Sequence, residues 1–304
     1  MLDRVKGRAV DLGYAAGWGV VKYVPSGLSE RSFRAIADAA TVRNGAGARQ
    51  LRKNLRRVVG PSVSELRLDQ IVGEALRSYS RYWRETFRLP RMDLRALAER
   101  TDEVVVGAEH LDAALERGKG VVLALPHQGN YDAAGVWLVH HNGPFVTVAE
   151  RLKPESLFER FVEFRESLGF EVHPVGKGTP SPIGVLQERM GENKVACLLA
   201  DRDLSRNGVQ VDFFGEPTRM PPGPAILAAT TGAALLPVSA YYAGDGWGLT
   251  INPPIEVPDL PLNENVQYLT QQVAQHFEVD IAAHPTDWHM LQKLWLSDLR
   301  SRPQ

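Results

Sequence analysis

The sequence predicts an α/β fold: a mixed, largely parallel central sheet flanked by helices and preceded by a basic helical N-terminus. Three observations predict it. From about residue 103 onward, short β-rich runs alternate with longer amphipathic ones, the pattern of a helix-covered sheet. In the first 90 residues, breaker clusters divide the chain into helical lengths. The composition, 44% hydrophobic and 23% charged without a low-complexity tract, excludes a disordered chain.

Residues 8–24, 28–42, 46–58 and 63–88 read as four helices separated by "PSG", "NGAG" and "GPS". After "RLPRMD" the pattern changes. "EVVVG", "GVVLALP", "PFVTVAE", "FEVHPV", "VACLLAD", "VQVDFFG", "ALLPVSAYY" and "GLTINPPIEV" read as strands. Helices are expected at 109–117, 130–141, 154–168, 183–193, 223–232 and 264–283. The expectation is a single domain over residues 1–304, with a helical part to about residue 90 and an α/β core from about residue 100.

The net charge of −1 conceals an asymmetry. Residues 1–60 hold twelve Lys and Arg against four Asp and Glu, a net of +8, so the remainder carries −9. With Tyr14, Trp18, Val21 and Val24 at helical spacing among Arg8, Asp11 and Lys22, the segment suits a helix at an anionic membrane surface. Packing on its own domain is the other reading, and both can hold together. The uncharged run from Leu12 to Val21 is ten residues, half of the roughly 20 a bilayer crossing needs. Asp3 and Asp11 do not fit a signal peptide, so a cytoplasmic location is expected. The single cysteine, Cys197 in "VACLLA", suits a reducing compartment and a core role.

Chemistry is concentrated in "ALPHQGNYDAAG", residues 124–135. His127 follows a buried strand, at the carboxyl end where open α/β sheets place ligands. Asn130 is a candidate cap for the helix that follows, and a first-turn Asp132 is favoured in its ionised form by the helix N-terminus. Asp132 is then expected to accept from one imidazole nitrogen, leaving the other as a base. By itself His-x4-Asp is weak, and a strand-closing His beside a helix-start Asp explains it equally well.

"HQGNYD", Arg165 and Gly169 in "FRESLGFEV", "LLADRDLSRNGVQVDFFGEPTRMPPGPAILAATTGAALLPV" and "HPTDWHMLQKLW" together resemble the ordered blocks of the lysophospholipid acyltransferase superfamily, in the spacing of its bacterial lipid A lauroyl/myristoyl branch. "DLGYAAGW", "RYWRETFRLP", "VAERLKPESL", "GVQVDFFGEPTRMP" and "DWHMLQ" are similar to the phosphatidylinositol mannoside acyltransferases in particular. The resemblance implies acyl transfer from acyl-CoA to a sugar hydroxyl of a glycolipid at the cytoplasmic membrane face. His127 would act as general base and Asp132 would orient it, without an acyl-enzyme and without a cofactor beyond acyl-CoA, of about palmitoyl length, as co-substrate. It departs from the pattern at Asp201, where the mannoside branch more often has glutamate.

Asp201, at another strand's carboxyl end, is a candidate for lining the site, as are Glu150 and Arg165. Each can equally be a surface ion pair. Gly223 and Pro224 can open a helix toward a phosphate or acyl carbonyl, and Arg219 can pair with a phosphate. The small residues of "GPAILAATTGAAL" suggest an acyl groove beside that helix, with Ala228 or Ala229 facing it.

Three rival readings are kept. A metal-dependent hydrolase would use His127, Asp132, Asp201 and Asp203. A lipid A type acyltransferase is the nearest competitor within the family. A nucleic-acid-binding protein is disfavoured by the net of −9 after residue 60. A serine hydrolase lacks its G-x-S-x-G.

Overall fold

A computed structural model of the chain describes residues 13–14, 17–151, 154–175, 181–203 and 207–300. Residues 17–20 are helical and lead into a 3-10 turn at Val21–Tyr23. Three helices follow: α1 (Ser26–Arg43), α2 (Ala46–Val59) and α3 (Glu65–Arg88). Ser64 caps α3 by accepting from the Arg67 amide. Leu51 and Leu55 of α2 meet Leu68, Ile71, Val72, Ala75 and Leu76 of α3 in one apolar cluster, the three- and four-residue spacing of helix faces. The chain then forms α4 (Leu94–Asp102) and α5 (Ala108–Glu116).

The sheet follows in the order β3-β2-β4-β1-β7-β8, with β1 (Val121–Leu125), β2 (Val146–Glu150), β3 (Glu171–Val175), β4 (Val195–Leu199), β7 (Ala234–Ala243) and β8 (Gly246–Ile251). All its pairings are parallel except β7 with β8. A separate hairpin, β5 (Val209–Phe213) with β6 (Glu216–Met220), is antiparallel. Five strand residues of β1 are buried without alternation, as expected of a strand covered on both faces. The intervening helices are α6 (Tyr131–Asn142), α7 (Glu155–Glu166), α8 (Ile183–Gly191), α9 (Gly223–Thr231), α10 (Leu262–Ala283) and α11 (Leu296–Arg300).

The two faces of the sheet carry separate cores, because side chains alternate along each strand. Leu123, Leu125, Leu236 and Val238 face α6. Val122, Ala124, Leu198 and Leu235 face α9 and α10, where Leu227, Ala228, Leu269 and Phe277 complete the layer. The helical N-terminal part is tied to the C-terminal end by polar contacts. Arg57 bridges Glu216 and Asp298, and Asn54 donates to the carbonyls of Met290 and Gln292.

Three expectations change. "EVVVG" is not a strand; only Val106 makes an isolated bridge, to Thr250. Residues 94–102, given no element from sequence, form α4. Tyr14 and Trp18 pack on Trp83, Phe87 and Phe161 rather than lying free, while Val20 and Tyr23 remain about 60% exposed. Arg8 and Asp11 lie outside the described residues.

Candidate active site

Parallel register builds the centre of the site. Leu125 of β1 lies opposite Leu199 of β4, so the residues two positions beyond each strand, His127 and Asp201, emerge side by side at the carboxyl edge. His127 Nδ1 lies 2.6 Å from Asp201 Oδ1, and the His127 amide donates to Asp201 Oδ2 at 3.0 Å. Trp288 Nε1 also donates to Oδ2, at 2.9 Å. Asp201 is completely buried. Burial opposes its ionisation, but the attraction of His127 and the hydrogen bonds from His127 and Trp288 outweigh that and hold the carboxyl below its ordinary range. The Asp201 carboxylate thus reaches both the ring and the main chain of His127. The other ring nitrogen, Nε2, has no hydrogen-bond partner among the described residues, and the side chain is 31% exposed.

The turn carrying His127 is pinned on every side. The His127 carbonyl accepts from His289 N, and Gly129 N donates to the Asp287 carbonyl. Gln128 Nε2 donates to the carbonyls of Asp280 and His284. Gly129 has φ +58°, and a Cβ there would lie 2.5 Å from the Ala240 carbonyl oxygen, so only glycine fits. Asn130 Oδ1 caps α6 through the Ala133 amide, while its Nδ2 donates to Glu85 Oε2 at 2.7 Å.

Asp132 does not touch His127. In the first turn of α6 its carboxylate instead accepts from Arg165 Nε and from the Tyr82 hydroxyl, both at 3.0 Å. The helix turns about 100° per residue, and that rotation swings Asp132 toward α7 and α3. The orienting contact expected of Asp132 therefore belongs to Asp201. Asp132 is 1% exposed. Burial alone would lower the Arg165 pKa, yet the attractions of Asp132, Tyr131 and Tyr82 together outweigh it and raise the value. Burial, reinforced by Asp132, raises the Tyr82 phenol well above its ordinary value.

His127, Tyr131, Arg165, Tyr82, Trp83, Glu150 and Arg202 line a groove of ≈ 470 Å³ whose far wall includes Phe158, Phe161, Pro221 and Pro222. A recess of ≈ 90 Å³ beside it is walled by His127, Arg202 and His289. Burial first, then the charge of His127, depresses His289 to about 3. Below the groove, and sharing Tyr131, Val148, Arg165 and Leu199 with it, lies an apolar cavity among Leu123, Leu125, Ala134, Trp137, Leu138, Phe170 and Cys197. Its volume of ≈ 50 Å³ gives room for a few small groups, at about 10–15 Å³ each.

Glu150 and Arg165 line the groove. Gly223 begins α9 directly after Pro222. Arg219 sits exposed on β6, opposite Gln210, and is not among the groove's walls. The apolar cavity lies on the α6 side of the sheet, whereas Ala228 is buried in the other core and Ala229 packs against it, so α9 does not line it. Asp132 faces Arg165 and Asp203 accepts from the Gly208 amide. Among the described residues no three His, Cys, Asp or Glu side chains form a metal-holding group. Tyr82, Glu85, Arg202, Trp288 and His289 were not singled out from sequence as site residues. The only signal was that "RYWRETFRLP", "LLADRDL" and "DWHMLQ", which contain them, recur as blocks.

Comparison with known proteins shows the family. Residues 4–297 match the model of the family described as bacterial lipid A biosynthesis acyltransferase. The chain is 54% identical over 293 residues to the phosphatidylinositol mannoside acyltransferase of Mycolicibacterium smegmatis, covering 96% of this chain and 93% of that protein. Against the protein of the same description from Mycobacterium tuberculosis H37Rv it is 53% identical over 291 residues, 96% of this chain and 90% of the relative.

Proposed function

Because the chain belongs to the bacterial lipid A biosynthesis acyltransferase family, we propose that it transfers a fatty acyl chain from acyl-CoA to a mannose hydroxyl of a phosphatidylinositol mannoside. The observation that carries the catalytic reading is the pairing of His127 with buried Asp201 at 2.6 Å, which leaves Nε2 free beside the groove. With the Nδ1 proton held by Asp201, Nε2 is the base that removes the hydroxyl proton. The alkoxide oxygen attacks the thioester carbonyl, and the tetrahedral oxyanion collapses to the ester. CoA leaves as a thiolate and takes the proton from the imidazolium. Asp201 stabilises that imidazolium, and no acyl-enzyme forms.

Arg165 and Arg202 are the guanidiniums at the groove, available to the oxyanion and to CoA or head-group phosphates. Asp132 has a positioning role: it fixes Arg165 through one carboxylate oxygen and Tyr82 through the other. The acyl chain, of about palmitoyl length, enters the apolar cavity under α6 by parting its walls, each buried methylene contributing about 0.8 kcal/mol. The protein works at the cytoplasmic membrane face. Support comes from Val20, Tyr23, Leu28 and Ile36, each more than half exposed, in the same basic N-terminal region as Lys22 and Arg31. Among the described residues no helix is long and apolar enough to cross a membrane.

The test is transfer from radiolabelled palmitoyl-CoA to a panel of mannosylated phosphatidylinositols, with a lipid A precursor as the competing acceptor. Acylation of the mannosides alone is expected. Preference for the lipid A precursor, or no dependence on His127, would overturn the reading.

A further inference from the structure

On the opposite side of α3 from the groove lies a second, polar cleft of ≈ 690 Å³. Arg77, Arg81, Arg84 and Arg88 line it from α3, spaced four, three and four residues apart and so sharing one helix face. Arg34 of α1 and Arg100 of α4 face the same space, opposite the β7–β8 turn.

The charges here do not cancel locally. Of the five carboxylates at the cleft, Glu85 is held by Asn130, Trp247 and Arg81, and Asp287 by Ser78 and the Tyr242 amide. Glu74 pairs with Arg67 and Glu30 with Arg84. Because the partners of Asp287 are neutral, it and Asp245 are left against Arg34, Arg88 and Arg100, an excess of one positive charge. Arg77 is paired with Asp38, but Arg88 gives its Nη1 to the carbonyls of Val21 and Val24, which leaves its charge uncompensated. Among the described residues, Arg34 has no hydrogen bond or ion pair, and Arg100 makes only a ring contact with Trp247. The first turn of α1 adds Ser26 to the wall, at a helix N-terminus without a side-chain cap, where the dipole favours an anion.

We propose that this cleft is a second binding site, for a ligand carrying a phosphate or pyrophosphate group. Several forked donors converging on one space suit a multiply charged tetrahedral oxyanion, and the cleft has room for an organic body attached to it. The site goes beyond the proposed function, because α3 separates it from His127. Two cleft residues reach the His127 turn: Glu85 is bonded to Arg81 on the cleft side and to Asn130 on the other, and the Asp287 carbonyl accepts from the Gly129 amide.

The experiment is calorimetric titration of the full chain with inorganic pyrophosphate at constant ionic strength, comparing wild type, Arg34→Gln/Arg100→Gln and Arg202→Gln. Arg34 makes no hydrogen bond or ion pair among the described residues and Arg100 only its ring contact with Trp247, so the double variant is expected to fold and to keep its transfer activity. Binding is expected to weaken by about tenfold or more in the double variant, a loss on the scale of one charge-assisted contact, and to persist in Arg202→Gln. Flotation with phosphatidylcholine vesicles containing a phosphatidylinositol phosphate separates the sources. Reduced flotation of the double variant identifies a lipid head group, and unchanged flotation with lost pyrophosphate binding identifies a soluble phosphate. No pyrophosphate binding by wild type, equal binding by the double variant, or loss only in Arg202→Gln would overturn the proposal. None of these readouts depends on acyl transfer, so failure here is distinguishable from failure of the catalytic reading.

Discussion

Two buried aspartates each hold a side chain that lines the groove, and their surroundings set them different tasks. Asp201, at the end of β4, is paired with an imidazole that is 31% exposed and can gain or lose a proton. Asp132, in the first turn of α6, is paired with Arg165, whose charge is permanent in water. A carboxylate beside a titratable ring suits proton transfer, whereas one beside a guanidinium suits holding a donor in place. Residue type is the same in the two places, and the partner decides the role.

The largest effect should come from the first pair. His127→Ala is expected to reduce transfer by about 10²–10⁴ or more, because the hydroxyl loses its base. Asp201→Asn is expected to fall in a similar range, since the ring loses both its orientation and its counter-charge, and kcat should fall more than KM rises. Steady-state kinetics on folded protein check this; a milder loss in Asp201→Asn than in Asp132→Asn would reverse the comparison. Asp132→Asn should show its main effect in stability. It leaves Arg165 buried without its carboxylate, a loss of about 3–5 kcal/mol when one partner of a buried pair is removed. Denaturant unfolding measures it, and the charge-removing double variant Asp132→Asn/Arg165→Met should recover part of the loss.

A smaller effect should separate the two faces of the sheet. Ala134→Leu places bulk in the cavity under α6 and is expected to shift the preferred donor to a shorter acyl-CoA by roughly two to four methylenes, at about 0.8 kcal/mol each. Ala228→Leu overpacks the opposite core and should lower stability by about 1–3 kcal/mol with the chain-length profile unchanged. A donor series with both variants decides between them. The smallest effect concerns pH. The Asp201 carboxyl is held below its unfolded value, so its ionised contacts contribute stability above about pH 4, and this is lost as pH falls through the folded value. The stability gap between wild type and Asp201→Asn should therefore narrow below about pH 4, as acid unfolding curves would record.

Much of this was determined by sequence alone. Period and turn chemistry located α1 to α3, α5, β1, α6 and most of the later elements within a few residues, because a helix face or a buried strand is written into neighbouring positions. "EVVVG" shows the limit: β-branched residues without a partner strand make only one bridge. The strand-end position of His127 was legible for the same local reason, and the ordered blocks pointed to the family. What the local sequence did not contain was which acid meets the imidazole. Asp132 is five residues from His127 and Asp201 is 74, yet the parallel register of β1 with β4 brings the distant one into contact and the rotation of α6 carries the near one away. The sequence pointed to open space beside α9, and the reason is related. Small residues in α9 permit close packing, but whether close packing closes a space or leaves one depends on the opposing layer. Leu227, Ala228 and Phe277 fill their side of the sheet, while the α6 side stays open around Ala134 and Cys197. Backbone propensity acts between neighbours in the chain, whereas hydrogen bonds and packing act between neighbours in space, so only the tertiary structure decided the partner of His127 and the side of the sheet that holds the cavity.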